Sequence, residues 1–371
     1  MKDKQTTFQT NTEFTADLHT HSQASLDADK PITYILKRAR EKRNSVVAVT
    51  DHNTLKGVNY FLDKRGYDRQ SVMELIDNKK QIFIPGTEIT CRISEIPNLK
   101  GNPTKIHLVA YGLDRDDTSF ISQLLSIKHE NDGKVDRGML TQLQKRFNLE
   151  LNDMDIIQYI SHKRQQDKGF GTFGKNDVFD FAKYYKLHLT ETDEELREII
   201  HNFQPYERLN LEATDVINLV HASGGIVVLA HPYSNLKRTT RAKDVVSYLI
   251  ANDIDGFELY HPFNTQACFD LIEQACKNSP HLIETGGSDF HSDNQHVEIY
   301  PHHIPYSDPE LSKVKQFLDT MNEIKYKRFQ GKLMIKDYAG IKGFNPIETL
   351  KKYKTMNNSI NENAAFDSYE L

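Results

Sequence analysis

At 371 residues, 38% hydrophobic and 27% charged, the chain can hold one large globular domain or two ordinary ones, and it lacks the charge imbalance of a disordered sequence. A formal net charge of −5 removes the global attraction that bulk nucleic-acid or anionic-membrane binding requires, while leaving room for a small charged substrate. Cys91, Cys268 and Cys276 show no C-x-x-C spacing, MKDKQTTFQTNTEF has no apolar signal region and no apolar run approaches the roughly 18 residues of a membrane span, so a soluble, cytoplasmic protein is expected.

Short β-branched runs alternate with helical patterns, which is how βα units around a parallel sheet appear in sequence. Strands are predicted at 14–19, 45–50, 82–88, 105–111, 225–230, 254–260 and 282–288. PITYILKRAREKRN reads as a helix with Pro31 at its first position. From about 114 to 210 the rhythm breaks into helical periodicity (SFISQLLSIKHE, GMLTQLQKRF, DEELREIIHNF) around a glycine-rich GFGTFG, and this stretch reads as a helical insertion. Residues 301–371 mix helix and loop and end in a loose tail.

The histidines and acids fall at the strands. EFTADLHTHS ends in His19 and His21, whose side chains, two apart, share a face. Asp27 follows in the next loop; SVVAVTDHN runs into Asp51 and His52, QIFIPGTEIT into Glu88. TKIHLVAYG carries His107 inside an apolar run, GGIVVLAHPY ends in His231, and LIETGGSDFHS ends in Asp289 and His291. Taken alone, His107 reads more readily as a hydrogen-bonded core residue, and Glu88 equally well as a helix-capping or surface carboxylate. The joint pattern points instead to a metal site at the C-terminal strand ends, where α/β folds build their sites. Imidazoles with carboxylates suit Zn, Fe and Mn, and nine donors exceed one ion's coordination, so two or three divalent ions acting on an ester are expected.

The set ADLHTHS, TDHN, GTE, IHLVAYG, LAHP and GSDFHS resembles the polymerase and histidinol phosphatase (PHP) family of metal-dependent phosphoesterases, over residues 14–113 and about 211–292. The resemblance implies an α/β fold: a distorted seven-stranded, TIM-like (β/α)7 barrel with a helical insertion. It also implies a cluster of Mn, Fe or Zn on nine ligands, which fall here on His19, His21, Asp27, His52, Glu88, His107, His231, Asp289 and His291. Many members place the third ligand five residues after the second histidine; here that position is Leu26, and Asp27 follows it. The domains expected are 1–113 and 211–300 for the two parts of the barrel, 114–210 for a helical cap and 301–371 for a C-terminal extension.

The cap resembles that of the subgroup acting on nucleoside 3′,5′-bisphosphates and oligonucleotide 5′ ends. Where that subgroup has G-R-P-H, this chain has Gly174, Lys175, Asn176 and Asp177, so a bidentate guanidinium is replaced by a point-charge ammonium. Asp51 and His231 are the candidate catalytic residues in the barrel, and Arg137 and Lys175 the candidate phosphate-holding cations of the cap. The expected activity is hydrolysis of phosphate esters by metal-bound hydroxide on a small phosphorylated substrate, a nucleotide or short oligonucleotide, without stable duplex binding. The alternatives are a metabolite phosphatase of the histidinol phosphate type, an amidohydrolase-like C–N hydrolase and a non-catalytic metal-binding module. Asp289 followed by His291, and Asp51 beside His52, favour the phosphoesterase over the amidohydrolase pattern.

Overall fold

The computed structural model of the chain describes residues 15–25, 27–42, 44–76, 81–147, 179, 208–293, 316–324 and 344–366. In chain order these form β1 (Thr15–Asp17), α1 (Ile32–Glu41), β2 (Asn44–Val49), α2 (Lys56–Asp63), β3 (Glu74–Ile76), β4 (Gln81–Pro97), β5 (Pro103–Tyr111) and α3 (Phe120–Phe147). Beyond residue 208 come α4 (Ala213–Ala222), β6 (Ile226–Leu229), α5 (Pro232–Leu236), α6 (Ala242–Ala251), β7 (Gly256–Tyr260), α7 (Gln266–Asn278) and β8 (Ile283–Gly286). Two helices follow, α8 at 316–324 and α9 (Pro346–Phe366).

The strands lie in the order β1-β2-β4-β5-β6-β7-β8. Beyond β8 the chain returns to β1: Leu18 N–H donates to Gly286 O (3.0 Å), Asp289 N–H to His19 O (2.8 Å) and His21 N–H to Phe290 O (2.8 Å). Seven strands therefore curl into a nearly closed barrel, as the family resemblance implies. All seven predicted strands are present, with two differences. The short β3, unforeseen, pairs antiparallel with the start of β4 and shares that edge with β5. More consequentially, β5 is antiparallel to both β4 and β6, where a wholly parallel sheet was expected. The ribbon between β4 and β5 is too short to carry a crossover, so the chain doubles back.

Two apolar layers hold the barrel. Val46, Ala48, Ile82, Ile84, Val109, Tyr111 and Val228 pack together inside it, closed from one end by Phe317 and Met321 of α8. The alternate residues, among them Val47, Val49, Phe83, Leu108, Ala110, Val227 and Leu229, face the surrounding helices. Helix α1 shows the pattern on the helical side: Ile32, Ile35, Leu36 and Ala39 are buried, at the spacing of one helical stripe, and extended Pro31 sits just before the first turn. The isoleucine and leucine side chains each contribute about 1.5–3 kcal/mol by burial. All three cysteines are buried and free. Among the described residues no helix is long and apolar enough to cross a membrane.

Candidate metal centre

The strand ends gather all nine residues singled out from sequence into one pocket. Glu88, fully buried in the middle of β4, is its hub. Its Oε1 lies 2.9 Å from His107 Nδ1 and 2.7 Å from His231 Nε2, and its Oε2 lies 2.6 Å from His52 Nδ1, 3.5 Å from His21 Nε2 and 3.7 Å from His19 Nε2. Asp289 Oδ1 stands 3.1 Å from His21 Nε2 and 3.4 Å from His19 Nε2. Asp27 reaches His52 Nε2 at 3.3 Å and His291 Nε2 at 3.5 Å. The reversal of β5 explains His107: because this strand runs the other way, its first half, not its end, lies beside the C-terminal ends of its neighbours.

The backbone is bent to deliver these groups. His231 (φ 24°) and Asp289 (φ 56°) adopt left-handed conformations that side chains other than glycine rarely take. Each costs on the order of 1–3 kcal/mol, a strain typical of functional sites. At Gly287 there is no room for a side chain at all: a Cβ there would sit 2.3 Å from His19 Cβ.

Three overlapping groups of donors have atoms close enough to share an ion: His19, His21 and Glu88; Glu88, His107 and His231; and His21, His52 and His291. The donor set fits divalent transition ions. Nε2 atoms of His19 and His21 face each other at 3.1 Å, and those of His52 and His291 at 3.3 Å. With metal–nitrogen bonds of about 2.0–2.1 Å, donors next to each other on one ion are separated by roughly 3 Å. Glu88 Oε2 and Asp289 Oδ1 are buried with imidazole nitrogens as their near neighbours and no partner in full hydrogen-bond geometry, as suits acceptors that would face cations.

Surrounding groups aim the imidazoles. Both carboxylate oxygens of Glu258, on β7, lie 3.2 Å from His19 Nδ1, so Nδ1–H donates outward and the Nε2 lone pair faces the cluster. His291 Nδ1–H donates to Asp289 O at 2.7 Å with the same effect, and His21 Nδ1 lies 3.1 Å from Ser25 Oγ. Asp51 accepts from Ser22 N–H (2.7 Å), Ser22 Oγ (2.8 Å) and Ser25 Oγ (3.0 Å), so its carboxylate faces the loop under the cluster. Burial pushes the Asp51 carboxyl up to about 6, against the lowering effect of those bonds. Burial also penalises charge on Glu88, but the imidazoles of His52 and His107 outweigh it and hold the carboxyl well below its usual range. Burial, with His291 and His52, holds His21 down at about 3.

Two residues of the pocket stand outside the ligand and catalytic candidates drawn from sequence. Glu258 is an acid within the apolar strand GFELY, a signal that was available. His261, just beyond β7, accepts from Phe263 N–H at Nδ1 (3.3 Å), which leaves the proton on Nε2; that atom is buried without a partner, 4.0 Å from Asp289 Oδ2. Burial holds this imidazole neutral, down to about 4. Of the cap cations expected from sequence, Arg137 falls on α3, but its side chain, like Lys175 altogether, lies outside the described residues.

Comparison with known proteins agrees with this geometry. The sequence profile of the PHP domain matches residues 17–206. A phosphoribosyl 1,2-cyclic phosphate 1,2-diphosphodiesterase of Eggerthella lenta is 23% identical over 289 residues, covering 74% of this chain and 93% of that enzyme. Among solved structures, a protein of Bifidobacterium adolescentis described as a metal-dependent phosphoesterase superposes with a TM-score of 0.59 at 18% identity, over 81% of this chain and 96% of its own. An amidohydrolase of Chromobacterium violaceum, crystallised with sulfate and no metal, gives 0.54 at 16% identity, over 80% and 96% of the two chains. At such identities the structural likeness speaks for the fold.

Proposed function

The chain belongs to the PHP domain family, and on that premise we propose that its nine-residue cluster holds two or three divalent transition ions and hydrolyses phosphate esters on a ribose, as in nucleoside 3′,5′-bisphosphates or the 5′ ends of short oligonucleotides. The observation that carries the proposal is Glu88, a buried carboxylate ringed by five imidazoles and common to two of the three donor groups. Ions held by His19, His21, Asp27, His52, Glu88, His107, His231, Asp289 and His291 would polarise phosphoryl oxygens and lower the pKa of water to near neutrality.

The protein's own share is orientation and proton placement. Glu258 keeps the His19 Nε2 lone pair turned inward and also accepts the His231 N–H at 2.6 Å, tying two strand ends together. Asp51 holds Ser22 and Ser25, and Ser25 Oγ in turn accepts the His52 N–H at 3.0 Å, so this carboxylate positions the loop that carries His21 and His52. His261 presents Nε2–H as a neutral donor to an oxygen of the bound ester. The ribose preference is supported by the Eggerthella lenta relative, whose name specifies a phosphoribosyl cyclic phosphate.

A phosphate-release screen with added manganese tests the proposal, run over 3′,5′-bisphosphates, 5′-phosphorylated oligomers, ribose cyclic phosphates and amino-alcohol phosphates, alongside elemental analysis. Release from ribose phosphates with two or three metal equivalents is expected. One equivalent or less after reconstitution would remove the multinuclear reading, and turnover confined to amino-alcohol phosphates would make this a metabolite phosphatase of the histidinol phosphate type.

A further inference from the structure

The β4–β5 ribbon overruns the barrel mouth, with Pro97 still paired to Pro103. Residues directly opposite in an antiparallel pair share a face, as do residues two apart. The face that carries Glu88 on β4 and His107 on β5 therefore continues outward to Arg92 opposite Lys105. Lys105 stands one pleat, roughly 7 Å, beyond His107. Arg92 is already neutralised, its Nε 2.7 Å from Glu212 Oε1. Lys105 has no carboxylate partner among the described residues and remains open to solvent, as a group at an entrance must.

Other cations converge on the same spot. Leu99 N–H in the β4–β5 turn donates to Arg238 O (2.9 Å), which sets Arg238 against the ribbon, and Lys128 and Arg208 meet on Asp132; burial first, then Arg238 and Lys128, lower the Lys105 ammonium, while Glu88 raises it. Asp132 accepts from both Lys128 (2.6 Å) and Arg208 (3.1 Å), while Arg238, exposed beside the β4–β5 turn, has no carboxylate partner among the described residues. Bringing like charges together is unfavourable, and the carboxylate of Asp132 reaches two of the four cations, Lys128 and Arg208. The arrangement makes physical sense around a polyanion. It is also unlike the cap cations expected from sequence, because it belongs to the barrel ribbon and the bases of the insertion.

We propose that Lys105 and Arg238, with Lys128 and Arg208 beside them, form an anion subsite that holds a second phosphate of the substrate one strand pleat outward from His107. The subsite rests on the phosphoesterase reading for its role but not for its existence. It explains how a cluster indifferent to what the phosphate is attached to distinguishes a bisphosphate from a simple monoester: binding energy at the distant phosphate is gained only by substrates that carry one.

The test compares wild type with Lys105→Gln, Lys105→Arg and Arg238→Gln, each checked for unchanged metal content. The measured quantity is the ratio of kcat/KM for a nucleoside 3′,5′-bisphosphate to that for nitrophenyl phosphate. Either glutamine variant should lower this ratio about ten-fold to a hundred-fold, chiefly through the KM of the bisphosphate, and Lys105→Arg should restore most of it. An unchanged ratio overturns the subsite and makes these cations ordinary solvated charges. If wild type hydrolyses neither ester, the phosphoesterase reading fails, and calorimetry of the same bisphosphate against a 5′-monophosphate still decides the subsite. Tighter binding of the bisphosphate that Lys105→Gln abolishes supports it; equal affinities overturn it.

Discussion

At the scale of single residues, the centre depends on groups that never touch an ion. Glu258 receives His19 Nδ1–H and the His231 N–H on one buried carboxylate. Replacing it by glutamine keeps the shape, leaves an amide NH2 where one acceptor stood and removes the charge that raises the basicity of His19. Outer partners of this kind are worth about 10- to 100-fold in metal affinity. Glu258→Gln is therefore expected to weaken manganese binding by about that factor in a chelator competition assay while the circular dichroism spectrum stays unchanged; a change under about two-fold overturns the role. The donors themselves were legible in sequence because imidazoles and acids at strand ends have few structural uses. Glu258 and His261 were not among the ligand or catalytic candidates, since the former sits inside a strand and the latter in the loop beyond one, outside the histidine and acid motifs at the strand ends.

At the scale of elements, the strand segments could be read from their apolar runs, but the direction of β5 could not. A half-buried strand has the same period whether it runs parallel or antiparallel, so nothing in TKIHLVAYG marks the reversal that brings His107 to the mouth. Helix pairing is equally invisible in one sequence. Lys56 at the start of α2 approaches His129 on α3, with Nζ 2.7 Å from Nε2, joining the two helices. Burial, then the Lys56 ammonium, holds the His129 imidazole down at about 4. The folded protein thus binds fewer protons here than the unfolded chain between pH about 4 and 6.5, so stability is lost as pH falls through that window. The upper bound is about 3 kcal/mol, reduced by solvent around the exposed Lys56. In protein stripped of metal, the fall in Tm from about pH 7 to pH 5 should be smaller for His129→Gln than for wild type; equal falls would show that the pair is not coupled to folding.

At the scale of the whole molecule, the barrel is closed at its far end by a segment whose role the sequence did not reveal. Helix α8 places Phe317 and Met321 among the interior strand residues, and the Phe317 ring meets Tyr111 edge-on with centroids 5.2 Å apart. Tyr111 spans the layer between plug and metal centre: its hydroxyl donates to Leu18 O at 2.7 Å, one residue before His19. On the outer side, α9 packs against α3 and α4, with Tyr353 OH donating to Asp215 Oδ2 (2.7 Å) and accepting the Glu212 N–H (2.9 Å). Mixed helix and loop after residue 300 gave no hint of this, because a short helix with two apolar contacts carries too little periodicity to point at a partner. Phe317→Ala should leave a cavity under Tyr111 and cost about 3–5 kcal/mol in chemical denaturation. Because Tyr111 stays in place above that cavity, metal content and the kcat of the surviving folded protein should match wild type at low temperature. Tyr111→Phe removes the hydroxyl and its hydrogen bond to Leu18 O, about 1 kcal/mol, yet acts next to His19 of the proposed metal centre. It should lose more metal affinity than Phe317→Ala despite the smaller loss of stability. If metal affinity instead follows stability across the two variants, the plug and the centre form one cooperative unit, and the layered reading of the barrel interior is wrong.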